Sequence, residues 1–178
     1  GENNTVYNVP GGILVDKILD EQRIKNTINE IITRHATLRT QFVMANNELV
    51  QEINENIELK IPVYRNTEKE IESILANFSK PFKLEKAPLM RAKIHFIDNK
   101  KTLLMVDFHH IIIDGTGLNN FIGEFEKIYR GEKLKELPIQ YVDYSVWEDK
   151  TNKSGEIEKI GEYWINKFKD CEFSQLNL

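Results

Sequence analysis

The sequence is poor in cysteine, in long apolar runs and in net positive charge, and each shortage excludes a class of protein. Cys171 is the only cysteine, which excludes an internal disulfide and a cysteine-based zinc site and is consistent with a reducing cytosol. No apolar run reaches the length of a membrane span, and the N-terminus lacks a signal-peptide pattern. We therefore expect a cytoplasmic protein without a membrane role.

The charge balance argues against a nucleic-acid partner. Lysine and arginine total 24 against 28 acidic residues, which gives a net charge of −4. The basic residues are scattered, mostly beside glutamates, and form no stripe that would follow a phosphate backbone. A chain of 178 residues is long enough to bury one substantial core, and it contains no repeat or low-complexity segment.

Helical periodicity appears in four places. Asp20 is placed as an N-cap for a helix over residues 21–36, and Thr67–Glu70 has the form of a capping box for a second helix that Pro81 ends. A third helix is predicted from Gly115 to near Gly131, and a fourth over residues 156–169. The apolar stripes of the first two helices are predicted to be buried: Ile24, Ile28, Ile31, Ile32, and then Ile71, Ile74, Leu75 and Phe78.

Short β-type runs fill much of the remaining chain. Asn46-Asn47 and Asp98–Lys101 are predicted hairpin turns because asparagine and aspartate tolerate tight turns. Strands and helices mix without a regular βαβ repeat, so the sequence predicts an α+β fold with a mixed or antiparallel sheet and flanking helices. The predicted strands cover residues 13–19, 39–45, 48–53, 57–65, 89–97 and 102–108.

Two adjacent histidines end the last predicted strand, and they are the candidates for acid–base chemistry. If the strand continues through them, His109 and His110 point to opposite faces, and Asp107 could orient His109. His110 emerges from the apolar face and is the better catalytic candidate. A metal is disfavoured because the two rings diverge and no third ligand is suitably spaced. The alternative is that both histidines are only packed and hydrogen-bonded.

The residues after the histidines suggest a positioned turn. Asp114 either accepts a proton from His110 in a dyad or pairs with an arginine and holds the loop. Gly115 is expected to permit a backbone conformation or a close approach that a Cβ atom would block. The exposed amides at the start of the following helix could bind a developing negative charge.

A dense aromatic segment follows the linker that Pro138 closes. Tyr141–Trp147 places three large aromatic side chains within seven residues. Aromatic side chains carry large apolar areas, so this segment is predicted to be packed in a core.

Four segments in order resemble the N-terminal half of the condensation domains of nonribosomal peptide synthetases, which are chloramphenicol-acetyltransferase-like acyltransferases. The signature HHxxxDG is complete at His109–Gly115. Arg34–Phe42 resembles RHExLRTxF, with Ala36 at the glutamate position. Pro81–Leu89 resembles PFxLxxxPL, and Tyr141–Trp147 resembles YxDYAxW with serine in place of alanine.

The resemblance implies an amide-forming acyltransferase of antibiotic biosynthesis and secondary metabolism. Such domains join two acyl groups that donor and acceptor peptidyl carrier proteins deliver as phosphopantetheine thioesters, and no cofactor is bound. The second histidine, here His110, stands at the reacting amine, either as a base or as a positioning group. His109 and Asp114 are mainly architectural beside Gly115, and Asp114 forms an ion pair for which Arg34 and Arg39 are the candidates.

The resemblance also implies what lies outside the chain. Residues 1–178 are expected to be an N-terminal lobe without the family's first motif, SxAQxRLW, and without the C-terminal lobe and adjacent adenylation domain. We therefore expect the polypeptide alone to fold but to be nearly inactive, because water would reach the site. The alternatives are an epimerization domain and a noncatalytic recruitment module. A cyclization domain is disfavoured because it usually replaces both histidines.

Overall fold

The computed structural model describes residues 4–171, which divide into two compact units after Pro138. The predicted domain over residues 1–178 also includes residues 1–3 and 172–178, which lie outside the described residues. The strands of the first unit are β1 (Asn8–Val15), β2 (Thr40–Ala45), β3 (Glu48–Ile53), β4 (Val63–Asn66), β5 (Met90–Ile97) and β6 (Lys101–His109). Its helices are α1 (Glu21–Arg34), α2 (Ile71–Ala76) and α3 (Gly115–Tyr129).

The main sheet confirms the predicted α+β class with a mixed sheet. Its strand order is β1-β6-β5-β4, with β4 parallel to β5 and the other neighbours antiparallel. Strands β2 and β3 form a separate antiparallel hairpin. Asn46 and Asn47 adopt positive φ angles of 52° and 64° at its turn, as their sequence predicts.

Helices α1 and α3 share the larger core with one face of the main sheet. Asp20 caps α1, since its Oδ1 accepts the N–H of Arg23 at 2.6 Å. The four predicted isoleucines of α1 are completely buried against Leu104, Val106 and Phe108 of β6. Burial of an isoleucine side chain contributes about 2 kcal/mol, so this stripe is a major source of stability.

The opposite face of the sheet carries a smaller core. Leu103 and Met105 of β6 pack there with Ile97 of β5, Phe78 and the partly buried Ile71 and Ile74. Alternation along β6 therefore separates its side chains into two clusters, as the period of a strand requires. The histidine motif lies at the end of this strand.

Three elements have bounds that differ by more than two residues from the sequence predictions. Strand β1 begins at Asn8 and includes Pro10, because an edge strand tolerates a residue without an N–H. The predicted strand over residues 57–65 is reduced to β4, which starts directly after Pro62. Proline has no N–H to donate to a neighbouring strand. Helix α2 ends at Ala76, which leaves Leu75 half exposed and places Phe78 beyond the helix.

The second unit consists of α4 (Tyr141–Lys153) and α5 (Glu156–Phe168). The predicted burial of the aromatic segment is wrong, because Tyr141, Tyr144 and Trp147 are all exposed. Their spacing of three residues places them along one side of α4, where neighbouring ring centroids lie 5.9 and 5.6 Å apart. Among the helices of residues 4–171, none is long and apolar enough to cross a membrane.

Candidate active site

The histidine motif lies where the central strand β6 leaves the sheet. The His109 N–H donates to the Leu89 carbonyl at 2.9 Å, and the His110 N–H donates to the Tyr7 carbonyl at 2.7 Å. The two hydrogen bonds tie the end of β6 to chain segments on both sides. A turn through Ile112 then leads into α3.

His109 is half buried between two aromatic rings. Its ring centroid lies 6.0 Å from that of Tyr7 and 6.3 Å from that of Phe82, which meets it edge-on. Its Nδ1 accepts the backbone N–H of Ile111 at 3.1 Å. Burial lowers the pKa of His109, the neighbouring His110 lowers it further, and Asp107 partly opposes the shift.

His110 is exposed and lies in the turn, one residue beyond β6. The condition that the strand continues through both histidines is therefore not met, because the ladder ends at the backbone N–H of His110. Within residues 4–171 its side chain makes no hydrogen bond. An exposed imidazole just beyond the end of a central strand, with no hydrogen bond to the described residues, is available to a substrate amine.

A buried ion pair lies on the His109 face of the sheet. Asp107 is completely buried, and its Oδ2 accepts from Arg91 Nη1 at 2.8 Å and from Asn8 Nδ2 at 2.7 Å. Arg91 and Asp107 are directly opposite in the antiparallel register, and Asn8 is opposite His109. The carboxylate thus joins three adjacent strands immediately before the histidines.

Burial raises the pKa of the Asp107 carboxyl, while the hydrogen bond from Asn8 and the charge of Arg91 oppose that rise. Arg91 is itself fixed on several sides. Its guanidinium carbon lies 3.8 Å from the ring centroid of Phe82, and it also donates to the carbonyls of Lys80 and Pro81. The Pro81–Leu89 segment is thereby held against the histidine motif.

Asp114 has a role that neither sequence alternative included: it is the N-cap of α3. Its Oδ1 accepts the N–H of Gly117 at 2.7 Å, so this amide of the helix start is already occupied. Gly115 does not have a positive φ, and a Cβ atom there would meet nothing within 4 Å, so no contact within the described residues requires glycine at this position. The expected close approach to Gly115 stays a prediction. A Cβ atom at Gly117 would instead approach Ile113 Cγ1 to 2.8 Å.

The two arginines proposed for Asp114 have other partners in the structure. Arg34 Nε lies 3.1 Å from Glu124 Oε1, and His35 Nε2 lies 2.6 Å from Glu124 Oε2. Arg39 donates to the carbonyls of Ile32, Asn54 and Glu55. The pairing of Asp114 with either arginine therefore stays a prediction.

The segment Arg34–Thr40 supports the site through contacts with residues that are distant in the sequence. The Arg34, His35 and Glu124 side chains join the end of α1 to α3. Thr37 Oγ1 donates to the Ile112 carbonyl at 3.2 Å, which ties the segment directly to the turn after His110. Ile112 is buried in the larger core, so the turn is held by packing as well as by hydrogen bonds.

Sequence reasoning missed several of these supporting residues. Arg91, Asn8 and Glu124 belong to none of the matched motifs. The one sequence signal for the buried cluster was the expected position of Asp107 on the same face of the strand as His109. Thr37 lies within a motif, yet its partner is 75 positions away. Among residues 4–171, no group of three or more histidine, cysteine, aspartate or glutamate side chains is arranged to hold a metal ion.

The family model of the condensation domain matches residues 1–177, so the chain belongs to the condensation domain family. It is 40% identical over 170 residues to surfactin synthase subunit 2 of Bacillus subtilis (strain 168). This alignment covers 95% of this chain and 5% of that relative. It is 38% identical over 176 residues to gramicidin S synthase 2 of Brevibacillus brevis, which covers 99% of this chain and 4% of that relative.

Two solved structures share the fold. The starter condensation domain of the rhizomide synthetase RzmA gives a TM-score of 0.82 at 18% identity, covering 96% of this chain and 44% of that chain. The X-domain in complex with OxyB from teicoplanin biosynthesis also gives 0.82, at 19% identity, covering 97% of this chain and 40% of that chain. This chain therefore spans less than half of either structure and about a twentieth of the synthetases.

Proposed function

We propose that this chain supplies the histidine-motif half of a site that forms amide bonds between carrier-bound thioesters in nonribosomal peptide synthesis. The acceptor amine attacks the donor thioester carbonyl. A C–N bond forms, the C–S bond breaks, and the thiol leaves with the proton that the amine loses. The observation that carries the proposal is the exposed His110 just beyond β6 in a chain of this family, with no hydrogen bond from its side chain to any of residues 4–171.

His110 is proposed to contact the attacking amine. A neutral imidazole nitrogen can accept a hydrogen bond from an amine N–H, which orients the amine and can take its proton. Orientation alone accelerates a reaction between two bound acyl groups, because it removes freedom that they would otherwise lose in the transition state. Gly115 has open space where a side chain would stand, which leaves room for an extended substrate arm.

The partners follow from the same proposal. Donor and acceptor peptidyl carrier proteins would deliver the two phosphopantetheine thioesters, and an adenylation domain of the same synthetase would load one of them. The remaining part of the condensation domain would cover the site. Support comes from the synthetase relatives and from the solved domains, of which this chain spans well under half.

We also propose that residues 1–178 alone do not turn over at an appreciable rate. His110 and Ile111 are both exposed, so water reaches the reacting position when nothing covers it. Mixing the isolated polypeptide with two loaded carrier proteins should yield almost no amide product. Product formation at the rate of the complete domain would refute this proposal.

The function is tested by amide formation in the full-length protein that contains this chain. Donor and acceptor carriers are loaded with aminoacyl groups, and the carrier-bound dipeptide is followed by mass spectrometry. His110→Ala is expected to lower the rate by about 10²- to 10⁴-fold, the usual contribution of a proton-transfer group. Unchanged circular dichroism is the control for folding. A dipeptide rate equal to the wild-type rate would remove His110 from the mechanism.

A further inference from the structure

We propose that His95 is a proton-sensitive latch for residues 67–76: the neutral ring keeps this segment closed over the smaller core, and protonation of Nε2 opens it. The segment consists of Thr67, the 3₁₀ helix Glu68–Glu70 and α2, and it packs on the face of the sheet that carries the smaller core. The latch is a property of the fold and does not depend on the function proposed above.

A chain of hydrogen bonds connects His95 to the start of this segment. Asn66 Nδ2 donates to Glu70 Oε1 at 3.0 Å, which leaves the amide oxygen of Asn66 for His95. That oxygen lies 2.8 Å from His95 Nδ1 and can only accept, so Nδ1 carries the proton of the neutral ring. Glu70 Oε2 in turn accepts the N–H and the hydroxyl of Thr67. His95 is therefore linked through Asn66 to the carboxylate of the capping box.

The other ring nitrogen of His95 lies in the interior. The residue is 5% exposed, and among residues 4–171 its Nε2 has no hydrogen-bond partner. Tyr64 stacks on the ring with the centroids 5.0 Å apart, and Leu103 lies directly opposite on β6. A charged N–H group costs far more to bury without an acceptor than a neutral nitrogen does. Protonation at Nε2 therefore destabilises the closed segment, although the bond from Nδ1 to Asn66 remains.

The charged groups around His95 favour the neutral ring when the segment is closed. Lys93 lies two residues before it on the same face of β5, and Glu70 lies at the far end of the hydrogen-bond chain. Burial, followed by the charge of Lys93, lowers the pKa of His95, and Glu70 opposes this shift. Lys101, on the same face of β6, is paired with Glu68 at 2.8 Å.

Residues 67–76 are the part of this region that opens most readily. Neither the 3₁₀ helix nor α2 contains a fully buried residue, and only the partly buried Ile71 and Ile74 join the segment to the smaller core. Strands β5 and β6, in contrast, consist almost entirely of buried side chains. Elements with few buried contacts open at a lower free energy than core strands. A charge on His95 is therefore relieved by opening of this segment and not by separation of the two strands.

The test compares hydrogen exchange of residues 67–76 in the full-length protein at pH 7.5 and pH 5.5. Peptide-level mass spectrometry gives protection relative to an unstructured peptide at each pH, which removes the intrinsic pH dependence of exchange. Because a histidine in the open segment has a pKa near 6.5, protection should fall about fivefold to tenfold at pH 5.5. At both pH values the segment should be less protected than α1, since it opens without global unfolding.

Two glutamine substitutions separate His95 from other titrating groups. His95→Gln removes the titration and keeps a side-chain N–H that can donate to Asn66, so its protection should change less than about twofold between the two pH values. His35→Gln is the matched control, because His35 contacts Glu124 on α3 and lies outside the segment. It should show the full wild-type response. A wild-type response in His95→Gln would overturn the proposal.

A variant that retains the histidine decides the case in which His95→Gln is already open at pH 7.5. Lys93→Met removes the nearby positive charge and keeps a long side chain, so the pKa of His95 moves back towards its usual value. The pH response of residues 67–76 should then decrease by about twofold or more. An undiminished response in Lys93→Met would overturn the proposal. Wild-type protection equal to that of α1 would overturn it as well, because the segment would then open only with the whole fold.

Discussion

The two faces of β6 carry different side chains near the end of the strand. On one face, the apolar side chains through Phe108 pack into the larger core shared with α1 and α3. On the other face, the apolar cluster gives way to the buried Asp107 and then to the half-buried His109. His110 follows His109 directly in the chain. Its side chain forms no hydrogen bond within residues 4–171.

This contrast shows how a fold can present one reactive group firmly. Packing holds the strand from one side without directional bonds, while an ion pair and hydrogen bonds hold it from the other with defined geometry. The Arg91–Asp107–Asn8 cluster and the Thr37 contact to Ile112 act on the two ends of the histidine segment. His110 is exposed, while the backbone around it is held by hydrogen bonds to Leu89 and Tyr7.

The largest effect on stability is expected from the apolar face. Phe108→Ala removes a fully buried ring that meets Phe121 edge-on at a centroid distance of 5.2 Å. The cavity should lower the free energy of unfolding by about 4 kcal/mol. Urea unfolding of the complete condensation domain measures the change. A loss below about 1 kcal/mol would mean that this face does not anchor the strand.

The polar face should be nearly as sensitive to loss of its carboxylate. Asp107→Ala removes the carboxylate that accepts from both Arg91 and Asn8 and leaves them only the backbone carbonyls of Lys80 and Pro81, so we expect a loss of about 3 kcal/mol in unfolding free energy. Asp107→Asn is the matched control, because it keeps one oxygen acceptor and should cost less. Equal destabilisation by the two substitutions would show that the charge, and not the acceptor, holds the strands together.

Two adjacent isoleucines test how the turn is held. Ile112 is 6% exposed and Ile111 is 41% exposed, although the two share one motif. Ile112→Ala is expected to cost about 2 kcal/mol of unfolding free energy and Ile111→Ala about 0.5 kcal/mol. Thermal unfolding of both variants gives the comparison, and similar melting temperatures would contradict the packing of the turn.

A pH dependence of stability is also expected from the polar face. His95 lies on this face, and burial, followed by the charge of Lys93, lowers its pKa in the folded protein. As the pH falls, His95 is therefore protonated at a higher pH in the unfolded chain than in the folded protein. The stability that neutral His95 contributes is fully present above about pH 6.5 and is lost as the pH falls below that value.

Unfolding free energies measured between pH 7 and pH 5 should decrease by at most about 1.4 kcal/mol per pH unit for each such histidine. His95→Gln should reduce the slope, and His109, whose pKa is also lowered, should account for part of the remainder. An unchanged slope in His95→Gln would assign the pH dependence to other groups.

The elements that the sequence predicted correctly depend on local chemistry. Asp20 and the isoleucine stripe define α1, and the two asparagines define the β2–β3 turn, because caps and turns involve residues close together in the chain. The exposed aromatic segment and Leu75 were predicted wrongly, since periodicity shows which side chains share a face but not what covers that face.

The residues of the motif could be named from the sequence, but the side chains that contact them could not. His109, His110 and Asp114 could be named from their spacing, but the strand alternation that was expected to separate the two histidines stops at His109, and His110 lies in the turn. The partners of Arg34 and Asp107 lie many positions away or on other strands, and no local pattern marks Glu124 or Arg91. The capping role of Asp114 is local, because the residue stands directly before the predicted start of α3 at Gly115.

The central claim is that His110 takes part in the reaction while His109 holds the turn. Single-turnover rates of amide formation in His110→Ala and His109→Asn, measured side by side in the full-length protein with both carriers loaded, test it most directly. We predict a loss of about 100-fold or more in His110→Ala and a loss within about threefold in His109→Asn, which keeps an acceptor for the Ile111 N–H. Equal losses in the two variants, or a larger loss in His109→Asn, would contradict the account.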